Sequence, residues 1–260
     1  MGRMEEAQPA TEGNGIGQLR ESSLHAEMKR YLSQPQDRFE ERVGSHVIDI
    51  VREDCLIEIQ TTSFSKLKPK LAALLAMHPI RIVFPVAVEK WIVHVDARGE
   101  ELRRRRSPRR GRIEDLLREL TQIIAYVGEP HLSVEALMVT VEEIRHDDGK
   151  GSWRRRGVSI VDRRLLEVHG RERFVAPADY LRFLPPGLPA PFTNSDLALA
   201  AGKQRVDAQL VTYCLRRIGL IEVAGKRSRE IEYRVSAHPA RKAGTPRHGT
   251  RSRGRKGADE

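Results

Sequence analysis

The chain has few aromatic residues, few cysteines and no long apolar run. Aromatic residues make up 5% of its 260 residues, while 39% are hydrophobic and 32% are charged. No apolar stretch approaches the roughly 18 residues that a membrane-spanning helix needs. The first residues also lack the apolar segment of a secretory signal. We therefore expect a cytoplasmic globular protein with no membrane as partner.

The two cysteines, Cys55 and Cys214, lie far apart in sequence, each within an apolar pattern. A disulfide framework or a zinc site needs cysteines at short, paired spacings. We predict two buried free thiols in a reducing compartment.

Positive charge is in excess, with a formal net charge of +10. Such a balance attracts polyanions, and nucleic acid is the most economical partner. An acidic membrane surface is the competing interpretation.

Two short apolar runs form a predicted hairpin with one carboxylate on each arm. The runs are Val47–Val51 and Cys55–Ile59, and their Val, Ile and Leu content is typical of buried strands. If the turn pivots on Glu53 and Asp54, Asp49 faces Glu58, with Cβ atoms about 4.5–5.5 Å apart.

Two carboxylates this close within an apolar sheet repel each other, which raises the pKa of at least one. A divalent cation between them removes the repulsion, and oxygen ligands suit Mg²⁺. Gln60 follows Glu58 by two residues and so points to the same face. The pattern favours a metal site, and the alternative is an ordinary hairpin with an exposed Asp and Glu.

The motif formed by Asp49 and Glu58-Ile59-Gln60 resembles the active-site core of the PD-(D/E)xK, restriction-endonuclease-like nuclease superfamily. The resemblance implies that Asp49 and Glu58 bind Mg²⁺ or Mn²⁺ with help from the Ile59 carbonyl. Gln60 stands where the family has a lysine, as in the Glu-x-Gln variant of CoiA-like nucleases. It would then orient the attacking water.

A helix is predicted over Ser22–Leu32, and one edge carries a polar row of Glu21, His25 and Lys29. The resemblance implies one more carboxylate from this helix. Glu21 is favoured over Glu27, and Lys29 is a candidate for the missing cation. A solvated helix face is the alternative for each residue of the row, and a structural histidine is the alternative for His25.

A second helix is predicted over Lys66–Met77, and its start carries Lys66, Lys68 and Lys70. Lysines at a helix N-terminus oppose the macrodipole, so another interaction has to favour them. One interpretation has a lysine that reaches back to the metal site; another is phosphate contact. The alternative is plain solvated charge.

The predicted order of elements places the chain in the α/β class. Further strands are predicted over Ile80–Pro85 and Trp91–Val95, and the order is similar to the αβββαβ core of the superfamily. We predict five segments: a disordered N-terminus (1–20), a nuclease-like domain (21–145), a hairpin with a Pro-rich linker (146–191), a small α+β winged helix-turn-helix domain (192–237) and a disordered basic tail (238–260).

The run Leu102–Arg112 contains seven arginines beside Ser, Pro and Gly. This composition predicts a mobile loop that is either a solvated patch or a contact for a phosphate backbone. Between the two predicted domains, Val158–Val161 and Leu165–Val168 predict a hairpin.

The C-terminal segment resembles a winged helix-turn-helix: a helix, a Gly turn, a longer helix over Arg205–Ile218, then a hairpin with a basic tip. In that family the second helix enters the major groove and the wing contacts phosphates. The alternative is a module that contacts only protein. The resemblance implies DNA contacts from Lys203, Gln204, Arg205 and Gln209 and from the wing residues Lys226, Arg227 and Arg229.

Three functions follow as hypotheses. The first is a metal-dependent DNA endonuclease or resolvase-like enzyme that hydrolyses phosphodiester bonds. The second is a catalytically inactive, nuclease-like DNA-binding protein or regulator, which the missing motif lysine favours. The third is a protein-binding subunit of a DNA-processing or defence system. Nuclease folds of this kind are often dimers, so a homodimer is also open.

Overall fold

The computed structural model describes residues 22–151, 153, 157–202 and 205–237, with backbone alone at 205 and 206. The predicted disordered ends, together with Glu21, Lys203 and Gln204, lie outside these residues. Five α-helices occur in the described part: α1 (Ser23–Leu32), α2 (Lys68–Leu74), α3 (Asp115–Ile123), α4 (Asn194–Ala200) and α5 (Arg205–Ile218). 3₁₀ turns cover Phe64–Leu67 and Pro177–Phe183.

Seven strands of the described residues form one mixed sheet: β1 (Arg38–Val43), β2 (His46–Val51), β3 (Leu56–Ile59), β4 (Ile80–Val95), β5 (Glu101–Arg106), β6 (Leu132–Asp147) and β7 (Val158–Phe174). Their order is β1-β2-β3-β4-β6-β7, and β5 also pairs with β4. The β3–β4 and β4–β6 pairs are parallel, and the others are antiparallel. A separate hairpin joins β8 (Ile221–Arg227) to β9 (Glu230–Val235).

Helices cover both faces of the sheet, which confirms the α/β class. On one face, Leu24 and Met28 of α1 pack against Ile57 of β3. On the other face, α2, α3 and the C-terminal helices share one apolar cluster. The Cys214 thiol of α5 lies 3.7 Å from the Leu117 carbonyl of α3, so the C-terminal module packs directly on the sheet's helices.

Two strands are longer than the sequence pattern indicated. The predicted strands Ile80–Pro85 and Trp91–Val95 are parts of the single strand β4, which has a register shift between Ala87 and Glu89. Pro85 is tolerated because β3 has already ended beside it, so the missing N–H faces an open edge. The predicted hairpin over 158–168 was also wrong, because β7 continues through these residues as a partner of β6.

The predicted mobile loop at Leu102–Arg112 was wrong over its first half. Glu101–Arg106 is the strand β5, and its side chains are exposed. An arginine run carries no apolar alternation, so the sequence gives no strand signal here. The backbone nevertheless pairs with the free edge of β4, and charged side chains are typical of edge strands.

Cys55 and Cys214 are buried free thiols, as predicted. Among the described residues, no helix is both long and apolar enough to cross a membrane.

Candidate metal and catalytic site

The β2–β3 hairpin has the predicted register. Ile50 pairs with Ile57, and Val51 pairs with Leu56. The next position brings Asp49 beside Glu58, where the regular pairing ends. There the Asp49 carboxylate accepts a hydrogen bond of 2.7 Å from the Ile59 backbone N–H. The two acids therefore lie where the strands stop exchanging backbone hydrogen bonds.

The backbone is also distorted on the other side of Asp49. In β1, Phe39 and Glu41 pair with Ile50 and Ile48, while Glu40 between them has a φ of 51°. Positive φ is uncommon for a residue with a side chain, and such outliers cluster at functional sites. Asp49 thus sits between two interruptions of regular strand pairing.

Helix α1 stabilises this arrangement through its polar row. The His25 Nε2 atom lies 3.4 Å from the Asp49 Oδ1 atom, and Lys29 forms an ion pair with Glu40. Ser22 caps the helix by accepting a hydrogen bond from the His25 N–H. His25 and Lys29, the two members of the predicted row that the structure describes, therefore face the distorted part of β1 and β2.

Lys70 of α2 reaches the second acid. Its ammonium lies 2.5 Å from the Glu58 Oε1 atom and donates to the Val47 carbonyl at 2.7 Å. Lys70 borders the buried stripe, since Leu67 and Leu74 lie three residues before it and four after it. One of the three clustered lysines thus reaches the site, as one interpretation of the sequence had it, while Lys66 and Lys68 are exposed.

The two acids differ in their proton affinity. Burial, and then the negative charge of Asp49, raise the pKa of Glu58 to about 7, against the opposing effect of Lys70. Burial also acts to raise the pKa of Asp49. It is outweighed by the hydrogen bonds with His25 and the Ile59 N–H and by the charges of His25 and Lys70, so the pKa of Asp49 is lowered.

The donor set fits a hard divalent cation. Glu58 is only 2% exposed, and burial first, then the negative charge of Asp49, raise its pKa; a cation would relieve the repulsion between the two acids. Mg²⁺ is commonly held by one or two carboxylates and keeps several waters. The described residues contain no group of three or more His, Cys, Asp and Glu side chains arranged to hold a metal. Asp49 and Glu58 are the two carboxylates that the β2–β3 register brings together, and the Ile59 carbonyl follows Glu58 in the chain.

Gln60 and Glu27, two further residues that the sequence predicted for the site, have hydrogen bonds that fix their positions. Gln60 is half-buried, and its backbone N–H donates to the Val83 carbonyl at 2.9 Å, which fixes it just past the end of β3. Glu27 accepts a hydrogen bond of 2.5 Å from the Leu165 N–H. Glu27 therefore joins α1 to β7.

A cavity of about 320 Å³ opens just beyond the end of β3. Its walls include Phe84 of β4, Arg109 and Gly111 of the loop after β5, and Arg118 of α3. The Gly111 N–H donates to the Ala87 carbonyl at 2.7 Å, and a Cβ at Gly111 would lie 2.6 Å from that oxygen. Only glycine lets the loop approach β4 this closely.

The predicted wing tip is partly neutralised. The Arg227 guanidinium donates to Glu232 at 2.7 Å, to Asp196 at 2.9 Å and to the Pro191 carbonyl at 3.1 Å. Lys226, Arg229 and Gln209 are exposed, and the Arg205 side chain lies outside the described part.

Comparisons with known proteins place the chain in a family. Residues 22–175, more than half of the chain, match the family described as "Domain of unknown function (DUF8091)". The chain is also 32% identical over 220 residues to a Treponema pallidum (strain Nichols) protein described as "Uncharacterized protein", which covers 84% of this chain and 87% of that protein. The chain therefore belongs to the DUF8091 family. No solved structure matches the chain significantly.

Proposed function

We propose that this protein is a divalent-metal-dependent DNA endonuclease or resolvase-like enzyme. The observation that carries the proposal is the Lys70 ammonium 2.5 Å from buried Glu58, beside Asp49. The motif has Gln60 where a lysine is expected, and Lys70 brings a lysine to the same carboxylate from the following helix.

The order of elements supports the same proposal. One helix, three antiparallel strands, a second helix and a parallel strand follow one another from α1 to β4. This order agrees with the αβββαβ order of a restriction-endonuclease-like core and so supports the proposal. We further propose that α4, α5 and the β8–β9 hairpin form a winged helix that contacts DNA.

Each residue of the site has a distinct role in this proposal. Asp49, Glu58 and the Ile59 carbonyl would hold Mg²⁺ or Mn²⁺, which lowers the pKa of bound water and stabilises negative charge on a phosphate. His25 orients the Asp49 carboxylate. Lys70 supplies positive charge where negative charge develops, and Gln60 offers an amide that orients the attacking water.

The second candidate is a nuclease-like DNA-binding protein without catalytic activity. The Glu58–Lys70 ion pair favours it, because Lys70 already neutralises the carboxylate that a metal would otherwise need. Under this alternative, the ion pair is a structural contact that stabilises the hairpin.

The testing experiment is cleavage of linear, nicked, single-stranded and branched DNA with Mg²⁺ or Mn²⁺. Under the proposal, the native chain cleaves at least one of these substrates and Asp49→Ala does not. Absence of cleavage by the native chain, with DNA binding retained by both proteins, would instead support the second candidate. Equal cleavage by both proteins would place the activity outside this site.

A further inference from the structure

One edge of β4 leads away from the candidate catalytic site and is lined by basic residues. β3 pairs with this edge up to Val83. Beyond that point, the Gly111 N–H donates to the Ala87 carbonyl and the Ser107 N–H donates to the Lys90 carbonyl. β5 pairs with the remainder of the edge, up to Val95. At about 3.3 Å per residue, the edge from Val83 to Val95 is about 40 Å long.

The four arginines of β5 divide between the two faces of the sheet because strand side chains alternate. Arg104 and Arg106 have carboxylate partners, at 3.1 Å to Glu142 and 2.5 Å to Glu89. Arg104 also lies over the Trp91 ring, 5.0 Å from its centroid. Arg103 and Arg105 are exposed on the opposite face, and their guanidinium groups have no partner in the part of the chain that the structure describes.

Neighbouring strands add further cations to the face of Arg103 and Arg105. Across the sheet, Arg105 of β5 lies beside Ile92 of β4, and Ile92 lies beside Glu143 of β6. In the same way, Arg103 lies beside His94, and His94 lies beside Arg145. Glu143 is shared by three cations, with the closest contacts at 2.6 Å to Arg145, 3.2 Å to Arg163 and 3.5 Å to Lys90. Arg103, Arg105, Arg145, Arg163 and Lys90 thus share one face of the sheet with Glu143. We call Arg103, Arg105 and Arg145 the arginine face.

The electrostatic environment of His94 is consistent with a positive potential there. Burial first, and then the charges of Arg103, Arg145 and Arg105, lower the pKa of His94, with only Asp147 acting in the opposite direction. The charges of Arg103, Arg105 and Arg145 therefore add up to a positive electrostatic potential at this face.

We propose that the arginine face binds the phosphate backbone of a DNA duplex that lies along the β4 edge. Arg103 and Arg105 are two residues apart on a strand, about 6.6 Å, which matches the rise of two nucleotides along the duplex axis at about 3.4 Å each. Arginine also binds phosphate through two donors at once. An edge of about 40 Å matches about 12 base pairs, which favours an extended polyanion.

The inference rests on the proposed function for its choice of partner, and its test measures binding alone. The probe is a fluorescent DNA duplex whose anisotropy is followed without divalent metal at several salt concentrations. Arg103→Ala/Arg105→Ala should raise Kd about tenfold or more and lower the slope of log K against log salt by about 2. Arg104→Ala/Arg106→Ala removes the same charge from the same strand and should change Kd less than about twofold.

Further variants keep the result interpretable. Arg103→Lys/Arg105→Lys should recover most of the lost affinity. The chain has only two tryptophans. Trp91 lies beneath Arg104, so unchanged tryptophan emission shows that the Arg103→Ala/Arg105→Ala variant retains the sheet.

Two results would overturn the inference. The first is an equal loss of affinity in both double alanine variants, which would mean that overall charge alone governs binding. The second is that anionic phospholipid vesicles or poly-glutamate bind more tightly than DNA and with the same dependence on Arg103 and Arg105. Loss of cleavage in Asp49→Ala bears only on the proposed function, since no cleavage occurs in this assay.

Discussion

The candidate catalytic site and the arginine face use charge in opposite ways. At the site, Asp49 is held by His25 and the Ile59 N–H, and Glu58 is held by Lys70. On the arginine face, the guanidinium groups of Arg103 and Arg105 extend outward. A buried charge needs partners to be tolerated, whereas an exposed charge keeps its capacity for a partner from outside. The first arrangement suits chemistry at a fixed position, and the second suits attraction of a polyanion.

Replacement of Lys70 should have the largest effect, and it should affect the candidate catalytic site without affecting the arginine face. Lys70→Ala removes the ammonium beside Glu58, and we expect the cleavage rate to fall by about 10²–10³-fold while DNA affinity stays within about twofold. Steady-state cleavage and anisotropy binding measure the two quantities. The matched control is Lys68→Ala, which removes an exposed lysine two residues away. If Lys70→Ala cleaves as fast as Lys68→Ala, Lys70 has only a structural role.

The pH dependence of stability should distinguish the buried acid from the exposed cations. The pKa of Glu58 is about 7 in the folded chain, above its ordinary value of 4.5. Between these values the folded state keeps a proton that the unfolded state has lost, so stability falls as pH rises from 4.5 to 7. Without metal, as pH rises from 4.5 to 7, the free energy of unfolding of the native chain should fall by about 3 kcal/mol more than that of Glu58→Gln.

Urea unfolding at a series of pH values measures this difference. Mg²⁺ added above pH 7 should recover part of the lost stability in the native chain but not in Glu58→Gln, because the cation replaces the proton. Parallel curves for the two proteins would contradict the assignment of Glu58 as the group with the raised pKa.

The smallest expected effect is at the wing tip. Arg227 already has two carboxylate partners, so Arg227→Ala should raise the Kd for duplex DNA by less than about twofold. Lys226→Ala/Arg229→Ala removes two exposed cations and should raise Kd more than Arg227→Ala, but less than Arg103→Ala/Arg105→Ala. Anisotropy titrations of the three variants check this order. A wing variant that weakens binding most would make the winged module the principal DNA contact.

The central hairpin could be predicted from the sequence because its information is local. Two apolar runs and a polar turn fix its register, and the register alone brings Asp49 and Glu58 together. The first helix and its cap are local signals of the same kind.

The contacts that depend on tertiary packing could not be predicted with the same detail. Three lysines begin the segment around α2, and only the packing of the helix on the sheet selects Lys70. The strand β5 forms because β4 has a free edge, which an arginine run does not encode. The ion pairs of Arg104, Arg106 and Arg227 likewise depend on distant carboxylates, so a count of arginines does not reveal which are available to DNA.

Metal binding tests the central claim most directly. Electron paramagnetic resonance of Mn²⁺ should show one bound ion in the native chain, and this ion should be lost in Asp49→Asn and in Glu58→Gln. The matched control is Glu135→Gln, which alters a glutamate of β6 that is also 2% exposed and lies 3.7 Å from Arg81. We expect this control to bind Mn²⁺ as the native chain does. Native-like binding by both Asp49→Asn and Glu58→Gln, or no binding by the native chain, would contradict the assignment of this hairpin as a metal site.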